Sequence, residues 1–164
     1  MSTRHAASEP HGPESPSLGL GRRSRAFRGK TSAARVVGRY CIVVHASEAP
    51  MDDEWGQLLE VQLGALSDGA IRVLVATDGG APNASQRALL TSRAAGLKMI
   101  VAVLTPSVIA RAAAVAIRLF QPDIRILPRH EVEKALDHLD VLERDRPALR
   151  SALQEMRSEL QGPR

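Results

Sequence analysis

The sequence predicts an α/β protein with an open, mostly parallel sheet of about four or five strands, flanking helices and a further C-terminal helix. Three observations lead there. Short apolar runs alternate with helical stripes of roughly ten to fifteen residues, which call for parallel pairing through right-handed crossovers. Two of the runs, 71–77 and 98–104, are almost continuously apolar, as in strands covered on both faces. Aromatics are 2% of a chain that is 44% hydrophobic, so the core must be built from Val, Leu, Ile and Ala.

Residues 1–32 are rich in Ser, Pro, Gly, Arg and His and lack apolar periodicity, so they read as a disordered basic tail. Residues 33–142 read as the α/β domain and 143–164 as an amphipathic helix. The net charge of +4 is unevenly placed: residues 1–39 carry eight Lys or Arg against two acids, while the remainder is slightly acidic. Any weak affinity for nucleic acid or an anionic surface is therefore expected of the tail. Base-stacking platforms are excluded by the scarcity of rings.

Residues 36–45 fit either one strand or a hairpin folded at Gly38-Arg39. A helix over 52–66 has Asp52, Asp53 and Glu54 at its positive dipole end and Trp55, Leu58, Leu59, Gln62, Leu63 and Leu66 along one face. A strand over 71–77 runs into Asp78-Gly79-Gly80, a tight turn. Asn83 and Gln86 stand at capping-box spacing and open a helix over 84–95 that Gly96 stops. The next strand covers 98–104. Thr105-Pro106 caps a helix reaching about Phe120, with Val108, Ile109, Ala112, Val115, Ala116 and Leu119 as its buried face. A short strand over 123–127 ends at Pro128. A helix over 130–139 has Val132, Ala135, Leu136 and Leu139 as its stripe. The last helix opens near Asp145 or Arg146-Pro147, breaks at Gly162-Pro163, and carries Leu149, Leu153, Met156 and Leu160 as a narrow seam. That seam can pack back on the domain or join a second chain as a homodimer.

The corner after Thr77 draws the functional reading, because polar groups in α/β proteins gather where strand carboxyl ends meet helix amino ends. It serves either as an exposed docking loop or anion cradle, or as a turn whose Asp78 and Asn83 cap backbone groups. No Gly-Lys-Ser/Thr follows, which excludes a P-loop, and adjacent glycines fit a dinucleotide fingerprint poorly. His130 and His138 lack the i, i+4 spacing of a helical metal site, so no metal is expected. No Gly-x-Ser-x-Gly elbow supports a triad from Ser85, His45 and Asp78. Cys41 lies in an apolar run, as buried inert thiols do, and being the one cysteine it excludes an internal disulfide. No apolar run reaches the length of a membrane span, so a cytoplasmic location is expected.

From Gly96 to Leu139 the order of elements resembles the STAS domain of anti-sigma factor antagonists. The resemblance rests on a Gly-bearing turn, a buried strand ending in Thr105-Pro106-Ser107-Val108, a short strand Ile124-Arg125-Ile126 and a closing helix with Glu131-Val132-Glu133. It extends more weakly back to about residue 40. Antagonists of that family carry Asp-Ser-Ser/Thr-Gly at the second core strand's end, where a kinase-like anti-sigma factor phosphorylates a hydroxyl. Asp78 falls on that aspartate, and Gly79 and Gly80 fall on the hydroxyl positions.

The resemblance implies a bacterial, non-enzymatic regulatory module without a cofactor, binding a kinase-like anti-sigma factor or another signalling protein. The partner-binding residues it implies are Thr77, Asp78, Gly79, Gly80, Asn83, Ser85, Gln86 and Arg87. With glycine at both switch positions, Ser85 is the nearest hydroxyl on the helix for phosphorylation. The alternative is a domain that binds a phosphate-containing ligand or nucleotide at the helix start marked by Asn83.

Overall fold

The computed structural model describes residues 25–66, 68–108, 111, 112, 115 and 123–162. They form an α/β fold on one six-stranded sheet, ordered β1 to β6 as in the sequence. The strands are β1 (Ala26–Arg28), β2 (Ser32–Val37), β3 (Tyr40–His45), β4 (Ile71–Thr77), β5 (Met99–Leu104) and β6 (Ile124–Leu127). β1, β2 and β3 pair antiparallel, and β3 through β6 run parallel.

The hairpin alternative holds at 36–45. β2 and β3 are joined at Gly38-Arg39, with Gly38 at φ +60° and Arg39 outside the positive-φ region, as a two-residue II′ turn requires. The ordered sheet also begins earlier than expected, since Ala26–Arg28, placed in the tail by composition, is the edge strand. Pairing with β2 supplies the order that local sequence does not. The rest of the expected tail, 1–24, lies outside the described residues.

α1 (Asp52–Gly64) and α2 (Ala84–Arg93) cover one face of the sheet, and α3 (Val132–His138) and α4 (Arg146–Gln161) cover the other. Strand alternation divides the core accordingly. Cys41, Val43, Ile71, Val73, Met99 and Val101 face Trp55, Leu58, Leu59 and Leu90. Tyr40, Ile42, Val44, Leu74, Ala76 and Leu104 face Leu136, Leu139, Leu149, Leu153 and Met156. Burial on both faces explains why the central strands read as unbroken apolar runs. The seam of α4 packs back onto this domain, with Leu160 partly buried at its end.

Two expected helices differ in detail. α1 ends at Gly64, so Leu66 lies beyond it, 48% exposed, and Val61 takes a core position instead. After β5, Thr105 does not cap the helix. Its Oγ1 accepts from the Ser107 amide at 3.0 Å, and Ser107 begins the turn by accepting the Arg111 amide. Val108, Ala112 and Val115, expected inside, are exposed, while Ile109, Ala116, Leu119 and Phe120 lie outside the described residues. Among the described residues no helix is long and apolar enough to cross a membrane.

Candidate functional site

The corner between β4 and α2 sits at the carboxyl edge of the parallel strands. Its first half is closed by its own bonds. Thr77 is buried and donates its hydroxyl to Gly80 O at 2.6 Å, while accepting the Gly79 amide at 3.0 Å. The Asp78 amide donates to His45 O and the Gly80 amide to Ala46 O, which straps the turn to the loop after β3.

Both glycines are required by this path. Gly79 has φ +139°, a region side chains rarely enter. Gly80 lies so close to the neighbouring loop that a Cβ would collide with Glu48 O and approach Ala46 O to 2.6 Å. A serine at either position conflicts with the backbone.

The Asp78 side chain turns to the α4 face. Its Oδ2 accepts from Gln161 Nε2 at 2.9 Å. Its Oδ1 lies 3.1 Å from Arg129 Nη1, an ion pair without hydrogen-bond alignment. Arg157, on the turn of α4 before Gln161, stands beside the same carboxylate. Burial lowers the Arg157 guanidinium below the usual arginine range, Arg129 nearby adds to that, and Asp78 opposes it.

The second half of the corner is the helix start. Asn83 accepts from the Gln86 amide at 2.9 Å, and Gln86 Oε1 accepts from the Asn83 amide at 3.0 Å, the reciprocal pair that the spacing predicts. Two of the amides available to an anion at this helix start are therefore already bonded. Gln86 is buried, and its Nε2 donates to Pro50 O and Asp52 Oδ1, both at 2.8 Å. Trp55 Nε1 donates to Gln86 O at 2.9 Å, so the starts of α1 and α2 are tied together. Arg87 is half-buried and donates to Pro82 O at 2.7 Å.

The eight implied partner-binding residues thus divide. Thr77, Gly80 and Gln86 are interior. Asp78, Gly79 and Arg87 are half-buried, and Asn83 and Ser85 are exposed. Ser85 lies in the first turn of α2 and donates its hydroxyl to Asn83 Oδ1 at 2.7 Å. Around it Ala84, Ala88, Leu89 and Ser92 are exposed on the same helix. Met51, also exposed, lies between Pro50 and Asp52, which both bond Gln86.

Ser85, His45 and Asp78 do not form a relay. Ser85 bonds Asn83 and Asp78 pairs with Arg129, while His45 is buried against Trp55 with ring centroids 6.1 Å apart. Burial pushes the His45 pKa down to about 4, with Glu54 partly opposing. Cys41 is buried and its pKa is pushed up to about 12, which suppresses the thiolate. Among the described residues no cluster of three or more His, Cys, Asp or Glu is arranged to hold a metal.

Sequence reasoning missed Arg129, Arg157, Gln161 and the bonds by which Glu54 holds the Lys30, Thr31 and Ser32 segment. Arg157 and Gln161 each follow a seam residue of α4, which places them on the flank of its buried stripe. That flank position was their only local signal. No protein-family model, curated protein or solved structure matches the chain.

Proposed function

We propose that this chain is a non-enzymatic regulatory module, resembling STAS-type anti-sigma factor antagonists, that docks a cytoplasmic signalling protein through the outer part of the β4–α2 corner. One observation carries the reading. The exposed residues of α2 and its cap, Asn83, Ala84, Ser85, Ala88, Leu89 and Ser92, are uncharged in a chain whose charged residues make up 24%, the exception being Arg93 at the helix end, which pairs with Glu60. Leu89 is 39% exposed, and Met51 near the start of α2 is 43% exposed. Depletion of charge around exposed apolar side chains such as Leu89 and Met51 fits the centre of an interface. The order of elements, a hairpin followed by parallel βα units with a strand-to-helix corner at Asp78, supports the family resemblance.

The switch in this reading is not at the glycines. Ser85 is the exposed hydroxyl nearest the corner, and a phosphate there would add a double negative charge to the docking surface. The partner would be a kinase-like anti-sigma factor or another signalling protein.

Asp78 and Asn83 hold the corner together, so the informative substitutions are the outward ones. Ala88→Arg with Leu89→Glu is expected to abolish partner recovery in affinity capture while leaving the melting temperature within a few degrees of wild type. Recovery of the same partners by the double variant would place the docking surface elsewhere.

A further inference from the structure

On the face opposite α2, a cavity of about 380 Å³ opens at the carboxyl ends of β3 and β4. It is lined by Val44, Ala46 and Leu160 on the apolar side and by Ser47, Asp78, Arg157 and Gln161 among its polar residues. Its size and its position at the strand ends are those of small-molecule sites in open α/β sheets. The charges in it do not balance. Arg157 in its lining and Arg129, which pairs with Asp78 from outside the lining, both stand near the single carboxylate of Asp78. Gln161 Nε2 bonds one oxygen of that carboxylate, and Arg129 Nη1 pairs with the other at 3.1 Å without hydrogen-bond alignment, so Oδ1 is itself unbonded among the described residues.

Arg157 is left over. Its Nε and Nη2 are buried and have no hydrogen-bond partner among the described residues. These two atoms form the edge with which arginine grips an oxyanion through parallel bonds, and a turn of the side chain is needed to present that sealed edge to the cavity. A half-buried guanidinium without a bonded acceptor is costly, and a second guanidinium beside it raises the cost.

We propose that this cavity is a binding site for a small phosphate-bearing anion, with Arg157 as its principal ligand residue and Arg129 supplying further positive charge. An incoming phosphate completes the hydrogen bonding of Arg157 and neutralises the excess charge. Val44, Ala46 and Leu160 leave room for a compact organic body. The site is separate from the docking surface on α2, so either can fail without the other.

The test is titration of the full chain with inorganic phosphate, and in parallel with glycerol 3-phosphate, at ionic strength held constant with potassium chloride. Proton–nitrogen spectra follow the Arg157 Nε–H and the amides of Ser47 and Gln161. The expected result is a saturable shift of all three signals, absent with chloride alone. Arg157→Gln is expected to weaken phosphate binding at least about tenfold. Asp78→Asn, which removes the opposing charge, is expected to tighten it about twofold or more. Tighter binding of glycerol 3-phosphate than of phosphate identifies an organic ligand, and equal binding identifies the free ion. The proposal is overturned if phosphate and chloride give the same spectra, or if a folded Arg157→Gln variant binds as wild type does. If that variant does not fold, an unmoved Arg157 Nε–H in the wild-type titration overturns it as well.

Discussion

Glu54 accepts both the amide and the hydroxyl of Thr31, at 3.1 and 2.7 Å, from the first turn of α1. The same carboxylate accepts the Lys30 amide and the Ser32 hydroxyl. Gly29 lets it approach, since a Cβ there would collide with the carboxylate. This one side chain therefore fastens the β1–β2 turn to the helix that carries Trp55 and, through Gln86, the start of α2. The bonds outweigh burial and hold the Glu54 carboxyl below the usual glutamate range.

Replacing Glu54 with alanine leaves four donors without their acceptor in a largely buried site. The expected loss is about 3 kcal/mol, read as a shift of the urea midpoint with little change in slope. Glu54→Gln should cost nearly as much, because its amide would point a donor at donors. A loss below about 0.5 kcal/mol for both variants would mean that the β1–β2 turn is held by something else.

His45 sets the response to mild acid. Its folded pKa of about 4 lies below the ordinary 6.5, so between these values the unfolded chain binds a proton that the folded chain does not. Stability is full above pH 6.5 and falls as pH drops toward 4, by about 3 kcal/mol at most. Glu54 acts lower. Its depressed pKa contributes stability above the unfolded value near 4.5, lost as pH falls through the lower folded one. Denaturant midpoints measured from pH 7 to 4 should show this slope in wild type and lose most of it in His45→Phe.

Gly80→Ser tests the steric account of the corner. The added Cβ meets the Glu48 carbonyl, a backbone atom that cannot swing away. The variant should lose roughly 2–4 kcal/mol, and the introduced hydroxyl should not create a working phosphorylation site. A Gly80→Ser chain as stable as wild type would show that the β3–α1 loop yields easily.

Local chemistry made much of this legible in the sequence. The corner at Gly79 and Gly80, the Asn83–Gln86 cap and the stripes of α1, α3 and α4 all depend on residues a few positions apart, whereas the turn at Gly38 was one of two options that the sequence left open. What escaped depends on distant partners. Ala26–Arg28 becomes a strand only beside β2. Glu54 looks like any acid at a helix start until the Thr31 loop folds over it. Arg129 and Arg157 meet at Asp78 from separate elements, and nothing near them in sequence marks the meeting. Val108, Ala112 and Val115 carry a core-like spacing and yet are exposed, so periodicity alone did not decide burial there.

The docking reading is tested most directly by hydrogen–deuterium exchange of the chain alone and with its captured partner. Slowed exchange in the peptides covering Met51 and Asn83–Arg93 is the predicted result. Unchanged exchange there, with protection at the β1 edge or along α4 instead, would contradict it.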